Sequence, residues 1–146
     1  MALQYGIDGK LYICEDGIGG APPWTEVKNV QNLSTALSHT EHNVTTRGNG
    51  GFKASAAILK EVGLTFDMLH DPADDGYQAV RDAFGAKSVI GVAVMDKAID
   101  QAGADGVWFD GQVFQFERNE DYDKPMMMKV SLKPTYSANP PVLKTI

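Results

Sequence analysis

The chain has 146 residues, enough for one domain that buries roughly two thirds of the surface its unfolded form exposes. Its 43% hydrophobic content is ordinary for a globular protein, and 15 Gly with 7 Pro favour turn-rich β-structure over a helical bundle. A net charge of −6 argues against a general nucleic-acid-binding module, which needs a basic face, but not against a protein past which DNA slides without being held.

In chain order, Leu11-Tyr12-Ile13-Cys14 forms the first strand, between turn signals at Asp8-Gly9 and Asp16-Gly17. Cys14 is the single cysteine, so no internal disulfide forms, and it serves as a small apolar residue of that strand. Gly17 to Pro23 is a loop closed by Pro-Pro. Trp24 to Val30 resumes an extended pattern, with Trp24, Glu26 and Lys28 on one side and Thr25, Val27 and Asn29 on the other. That mixture predicts a strand exposed on both faces, or one buried only against another chain. From Ser34 to Ser55 apolar residues thin out while Thr, His, Asn and Gly accumulate. So long a stretch without a pattern is unusual inside a compact domain, and such loops are commonly functional or disordered. Val44, Thr45 and Thr46 suffice for an arm or extended hairpin, with the Gly48 to Gly51 cluster as its flexible part.

The organising stretch follows. Val62, Leu64, Phe66 and Met68 alternate with Gly63, Thr65 and Asp67, the period of a half-buried strand within Ile58 to Leu69. Asp71-Pro72 then opens the one convincing helix, with Asp74 and Asp75 favoured by the dipole in its first turn. Tyr77, Val80, Ala83 and Phe84 share its buried face, Gly85 stops it, and Lys87 lies just past the end. Val89 to Met95 is again a strand, with Ile90, Val92 and Val94 on its richer face. Lys97 to Gly106 connects to Val107 to Arg118, one long strand bent at Gly111. A charged turn from Asn119 to Pro125 leads into Met126, Met128, Val130 and Leu132, which alternate cleanly with Met127, Lys129, Ser131 and Lys133. The last two strands make a long antiparallel hairpin. The expected fold is therefore mainly β, a β-sandwich or open β-barrel with one flanking α-helix at about residues 72–85 and a long inter-strand loop. Residues 1–146 form a single domain with a loop or arm at 34–55 and an irregular C-terminal arm at 135–146.

No reaction chemistry is legible. His39 and His42, with Glu41 between them, and His70 are the only histidines, and with no cysteine nearby they do not make a zinc set. No Gly-x-Ser-x-Gly elbow occurs, and the Gly48 to Gly51 run lacks the Gly-Lys-Ser/Thr ending of a phosphate loop. The carboxylates Asp74, Asp75, Glu117, Glu120, Asp121 and Asp123 fall at a helix start and a turn, ordinary solvated places. The expectation is no catalytic residue, no cofactor and no metal. No apolar run reaches the length of a membrane span and no signal peptide precedes the first strand, so no membrane insertion is expected and synthesis is expected in the cytoplasm.

Several stretches, in their order, resemble the major tail tube proteins of long-tailed bacteriophages. They are the Trp24-to-Val30 segment, the Thr45-to-Gly51 segment, the Leu64-Thr-Phe-Asp strand entering the helix, and Phe109-Asp-Gly-Gln-Val-Phe leading through the acidic turn to Val130-Ser-Leu-Lys-Pro-Thr135. The resemblance covers nearly the whole chain, though no single motif is specific. It implies a structural protein whose copies, six to a ring, join their sheets, with rings stacking into a tube that conducts DNA from the capsid. Implied partners are further copies of the chain, tape-measure, terminator and baseplate or tip proteins, and DNA in transient, non-specific passage. The implied location is the host cytoplasm during assembly and then the virion tail. A tube subunit of a contractile injection or secretion particle, and a stand-alone β-barrel binding module, are the alternatives. Within the tube reading, Thr45, Thr46, Arg47, Gly48, Asn49, Gly50, Gly51, Phe52 and Lys53 are expected to make inter-subunit or inter-ring contacts. Asp67 and Glu117, on strand positions opposite apolar core residues, are expected to face the lumen and repel phosphate.

Overall fold

In a computed structural model, residue 3, residues 5–19 and residues 23–146 are described. The strands are β1 (Lys10–Cys14), β2 (Thr25–Val27), β3 (Val30–Asn43), β4 (Ser55–Leu69), β5 (Ile90–Met95), β6 (Asp105–Asn119), β7 (Met127–Pro134) and β8 (Val142–Thr145). One helix, α1 (Asp75–Ala86), lies between β4 and β5. All the strands belong to one antiparallel sheet ordered β2-β1-β5-β6-β7-β4-β3, with β8 added on β6. The sheet does not close into a barrel. No helix among the described residues is long and apolar enough to cross a membrane.

β6 is the hinge of this sheet. Its first half pairs with β5 and its second half with β7, and Gly111 is the residue shared by both, opposite Ile90 on one side and Pro134 on the other. A Cβ at Gly111 would lie 2.7 Å from both the Lys133 carbonyl and the Phe109 ring, so the handover leaves no room for a side chain. The two halves bury a common face. Leu11 and Ile13 of β1, Val92 of β5 and Phe109 of β6 meet Leu64, Phe66 and Met68 of β4 and Val130 and Leu132 of β7. Helix α1 closes this core with Tyr77, Val80 and Ala83. Each fully buried Leu, Phe or Met contributes roughly 1.5–3 kcal/mol relative to exposure.

The alternations in β4 and β7 emerge as expected: Leu64, Phe66, Met68, Met128, Val130 and Leu132 are buried. β5 goes further, because its second face is covered too. Ala93 and Met95 pack with Tyr12, Ile18, Ala104 and Trp108, and Trp24 stacks edge-on against Trp108 at 5.1 Å. Burial on both faces explains why the strand is apolar at every position. This second cluster also revises the expectation for Trp24 to Val30. Only Thr25–Val27 is strand, Val27 belongs to the main core, and the chain turns at Lys28-Asn29 before β3 begins.

The helix starts later and ends later than its sequence signals indicate. Asp71 holds a separate turn, its carboxylate accepting the Ala73 N–H at 3.0 Å and its carbonyl the Asp74 N–H at 3.0 Å. Asp74 is the cap instead, accepting the Tyr77 N–H at 3.1 Å. Gly85 remains helical, and Lys87 takes the left-handed conformation that ends the helix, with φ 55° and ψ 34°. Phe84 is 44% exposed rather than buried, resting on Phe116 with ring centroids 5.7 Å apart.

Only half of the 34–55 stretch is loop. β3 runs through Asn43 and pairs with β4 from Val30↔Met68 to Asn43↔Ser55, leaving 44–54 as the connection. The extended-hairpin alternative is the one the chain adopts. The C-terminal arm is likewise not irregular throughout. Residues Val142–Thr145 return as β8 on β6, Thr145 donates its hydroxyl to Asp105 at 2.8 Å, and the Lys144 ammonium sits 4.0 Å over the Trp108 ring.

Asp110 fastens this tail. Its side chain, on a residue only 4% exposed, accepts the Ile18 N–H at 2.8 Å and the Ser137 hydroxyl at 2.5 Å. The Asp110 carbonyl accepts the Thr135 N–H at 3.1 Å. One buried carboxylate thus joins the loop after β1 to the segment after β7.

Candidate assembly surface

Three features of the surface stand out: a hairpin tip, a polar sheet face and a pair of sheet edges. The first is the hairpin tip. Val44 N–H donates to the Ala54 carbonyl at 3.0 Å, and the Thr45 hydroxyl accepts the Ala54 N–H at 2.8 Å, which clamps the ends of the connection. A short 3₁₀ turn at Arg47–Asn49 follows, then Gly50 and Gly51 at φ 63° and 87°, the left-handed conformations that glycine adopts without penalty. The turn presents Phe52, 78% exposed, between Arg47 and Lys53. Residues 43–60 contain Arg47, Lys53 and Lys60 and no acidic residue, although the chain as a whole is acidic. All nine expected contact residues, Thr45 through Lys53, therefore meet at one tip.

The second surface is the uncovered face of the half-sheet β6-β7-β4-β3. Opposite the core residues, Gln31, Asp67, Lys129 and Glu117 form one cross-strand row. Ser34, Thr65, Ser131 and Gln115 form the next. Asp67 accepts from the Asn32 amide at 3.0 Å, and Glu117 from the Gln115 amide at 2.9 Å. Asp67 and Glu117 thus share a face, as the alternation predicts, but Lys129 stands between them. The sequence shows Lys129 on the polar side of its strand; only the register shows which carboxylates flank it.

The third surface is a pair of edges. Among the described residues β3 pairs only with β4, which leaves its other edge without a strand partner there. On the far side of the half-sheet, β5 reaches only to Gly111 of β6, which leaves the edge of residues 112–119 without a strand partner among the described residues. Phe114, at the bulge in this free half of β6, is exposed.

The residues weighed for chemistry are scattered. His39 and His42 lie exposed on β3, while His70 packs edge-on against Tyr77 at 5.0 Å. Cys14 is buried in β1. Among the described residues, no three His, Cys, Asp or Glu side chains are grouped to hold a metal ion.

No protein-family profile matches the chain, and no curated protein matches it by sequence. Solved structures do. A chain of the virion of a native gene transfer agent particle aligns over 98% of this chain and 100% of its own, with TM-score 0.75 and 11% identity. A chain of the tail of an empty gene transfer agent particle, refined with C6 symmetry, aligns over 99% of each at TM-score 0.74 and 14% identity. The SPP1 tail tube aligns over 90% of this chain and 75% of its own at TM-score 0.72 and 14% identity. The chain has the tail tube protein fold, over essentially its whole length.

Proposed function

We propose that the chain is the repeating subunit of a phage-type tail tube, six copies to a ring, with stacked rings forming a conduit for DNA. The observation that carries this is the half-sheet β6-β7-β4-β3, open at both edges and polar on one face. Its four strands alternate in direction, so β3 of one copy meets residues 112–119 of the next copy antiparallel when the copies are related by rotation about a common axis. Such pairing removes two exposed edges that would otherwise invite uncontrolled aggregation. The rest of each copy, β1, β2, β5 and α1, lies on the core side. Six such bodies fit on the outside of a closed barrel and not within it, which turns the Asp67–Lys129–Glu117 face toward the channel.

The C6 tail of the gene transfer agent particle supports the ring number, and the tip at Thr45 to Lys53 supplies the contact between rings. The channel face carries Asp67, Glu117 and Glu61 against Lys129 and Lys133, a small acidic excess, with the amides and hydroxyls of Gln31, Ser34, Thr65, Gln115 and Ser131 and the apolar Leu69 and Met127 beside them. Such a surface offers DNA phosphates few places to stick. Tape-measure, terminator and baseplate or tip proteins are the further partners, met in the host cytoplasm before the subunit enters the virion tail. Electron microscopy of the purified, concentrated protein tests the proposal. Stacked rings or long tubes are expected, and persistent monomers would overturn it.

A further inference from the structure

A stacking tip needs a receiver, and the surface of the same chain has a groove to weigh for that role. Beside the base of the hairpin an open groove of about 350 Å³ runs between the two halves of the molecule. Leu33 and Leu37 of β3, Val94 of β5 and Val107 of β6 line it, together with Asp96 and Asp105. Leu37 is 53% exposed there, without a partner covering it among the described residues.

We propose that the groove of one copy receives the hairpin tip of a second copy, with Phe52 on the apolar floor and Arg47 and Lys53 facing Asp96 and Asp105. This rests on the tube reading and names the partner surface within it. Both elements of recognition are complementary: an exposed aromatic flanked by cations, and an apolar trough lined at one side by carboxylates. The tip cannot fold back onto its own groove. Leu37 stands at the groove wall and the hairpin base at once, and the paired ribbon carries the chain roughly 20 Å onward from Leu37 to Asn43 at about 3.4 Å per residue. The donor must be another molecule. Tip and groove are different surfaces, so the contact is head-to-tail and repeats from copy to copy instead of closing a dimer. Repetition without closure is what stacking along an axis requires.

The test places the photo-reactive p-benzoylphenylalanine at position 52, which keeps an aromatic ring at the tip, and maps the cross-linked peptides after irradiation of assembled protein. Cross-links from one copy to the Leu33–Leu37 or Val94–Asp96 segment of another are expected. Tubes whose cross-links map elsewhere would overturn the groove and leave the tube reading standing. A second variant, Leu37→Glu, places a charge on an exposed groove residue. It is expected to raise the protein concentration needed for stacked tubes at least tenfold with the unfolding midpoint of the monomer unchanged. Stacking of this variant at the wild-type concentration overturns the groove. Wild-type protein that forms neither rings nor tubes and gives no intermolecular cross-link removes the groove and the tube reading together.

Discussion

Removing the Asp110 carboxylate should loosen the tail and the loop after β1 together. In Asp110→Ala the Ile18 N–H loses its acceptor within a buried site, and the Ser137 hydroxyl loses its own. Hydrogen bonds to a charged group contribute about 1.5–3 kcal/mol each, and part of that sum is offset because the mutant no longer desolvates a carboxylate. The expected net loss is about 3 kcal/mol, a fall in midpoint of roughly 6–12 °C for a domain of this size. Asp110→Asn keeps an oxygen for Ile18 and gives up the charge, so it should lose only about 1–2 kcal/mol. Urea unfolding of the monomer measures the stability, and hydrogen exchange at the Ile18 amide and across β8 locates the effect. Both segments should lose protection while β4 and β7 keep theirs. A loss under about 0.5 kcal/mol, or exchange that rises evenly over the sheet, would refute the fastening role, because a buried amide left without an acceptor costs about 1–3 kcal/mol by itself.

Val80→Ala, at a fully buried helix position, should cost about 1–3 kcal/mol in the same assay, whereas Phe84→Ala should cost less than about 1.5 kcal/mol because half the ring is already solvated. An equal loss from both would mean that the helix sits deeper than described. Gly111→Ala should destabilise by about 1–3 kcal/mol, since the added carbon meets a carbonyl and an aromatic ring at once; a neutral result would show that the β5-to-β7 handover can relax. Residues 44–54 should exchange fast in the monomer and slowly in the tube, because a Gly-rich tip with little apolar area cannot offset its ordering entropy alone; equal protection in both states counts against a contact there. Paired reversal, Asp67→Lys with Glu117→Lys, should slow DNA ejection most at low salt, and particles that eject normally would place those residues away from the channel.

Much of the fold is legible in the sequence because period 2 survives wherever one face is buried. Leu64, Phe66 and Met68 declare β4, and Val130 and Leu132 declare β7, because the opposite face of each is solvated. The misses have local physical causes. Three aspartates compete for the helix cap, and the local sequence does not choose between them; Asp74 takes it where Gly76 passes close to Val27, a residue of a strand far back in the chain. Phe84 lies at the right spacing for burial, but the sheet beneath it has narrowed to the free half of β6, so the ring finds Phe116 and no further cover. β8 is short and wholly exposed, so no periodicity marks it. It exists because Asp110 and Ser137 turn the tail back and Trp108 offers Lys144 an aromatic face.

The candidate site divides along the same line. A tip rich in Gly, with cations around one aromatic, can be recognised from composition; a row of charges across three strands cannot, because it depends on register. That register also changes the electrostatic argument. Like charges directly opposite one another on neighbouring strands are destabilising, by a few tenths of a kcal/mol to about 1 kcal/mol per pair. A sheet face made only of carboxylates would accumulate that cost at every cross-strand contact. Lys129 between Asp67 and Glu117 relieves it, turning two repulsive neighbours into two attractive ones. A channel wall built from sheet is therefore held to a mixed pattern with a modest acidic excess, since stronger acidity would weaken the strand pairing that forms the wall. On such a wall, adhesion to DNA depends on where each lysine stands relative to the carboxylates as well as on the number of carboxylates: Lys129 lies opposite Asp67 and Glu117, and Lys133 opposite Gln112. Within the proposed tube, Lys129 is then the residue whose neighbours matter most: deprived of both acids, it becomes a free cation on every copy around the ring.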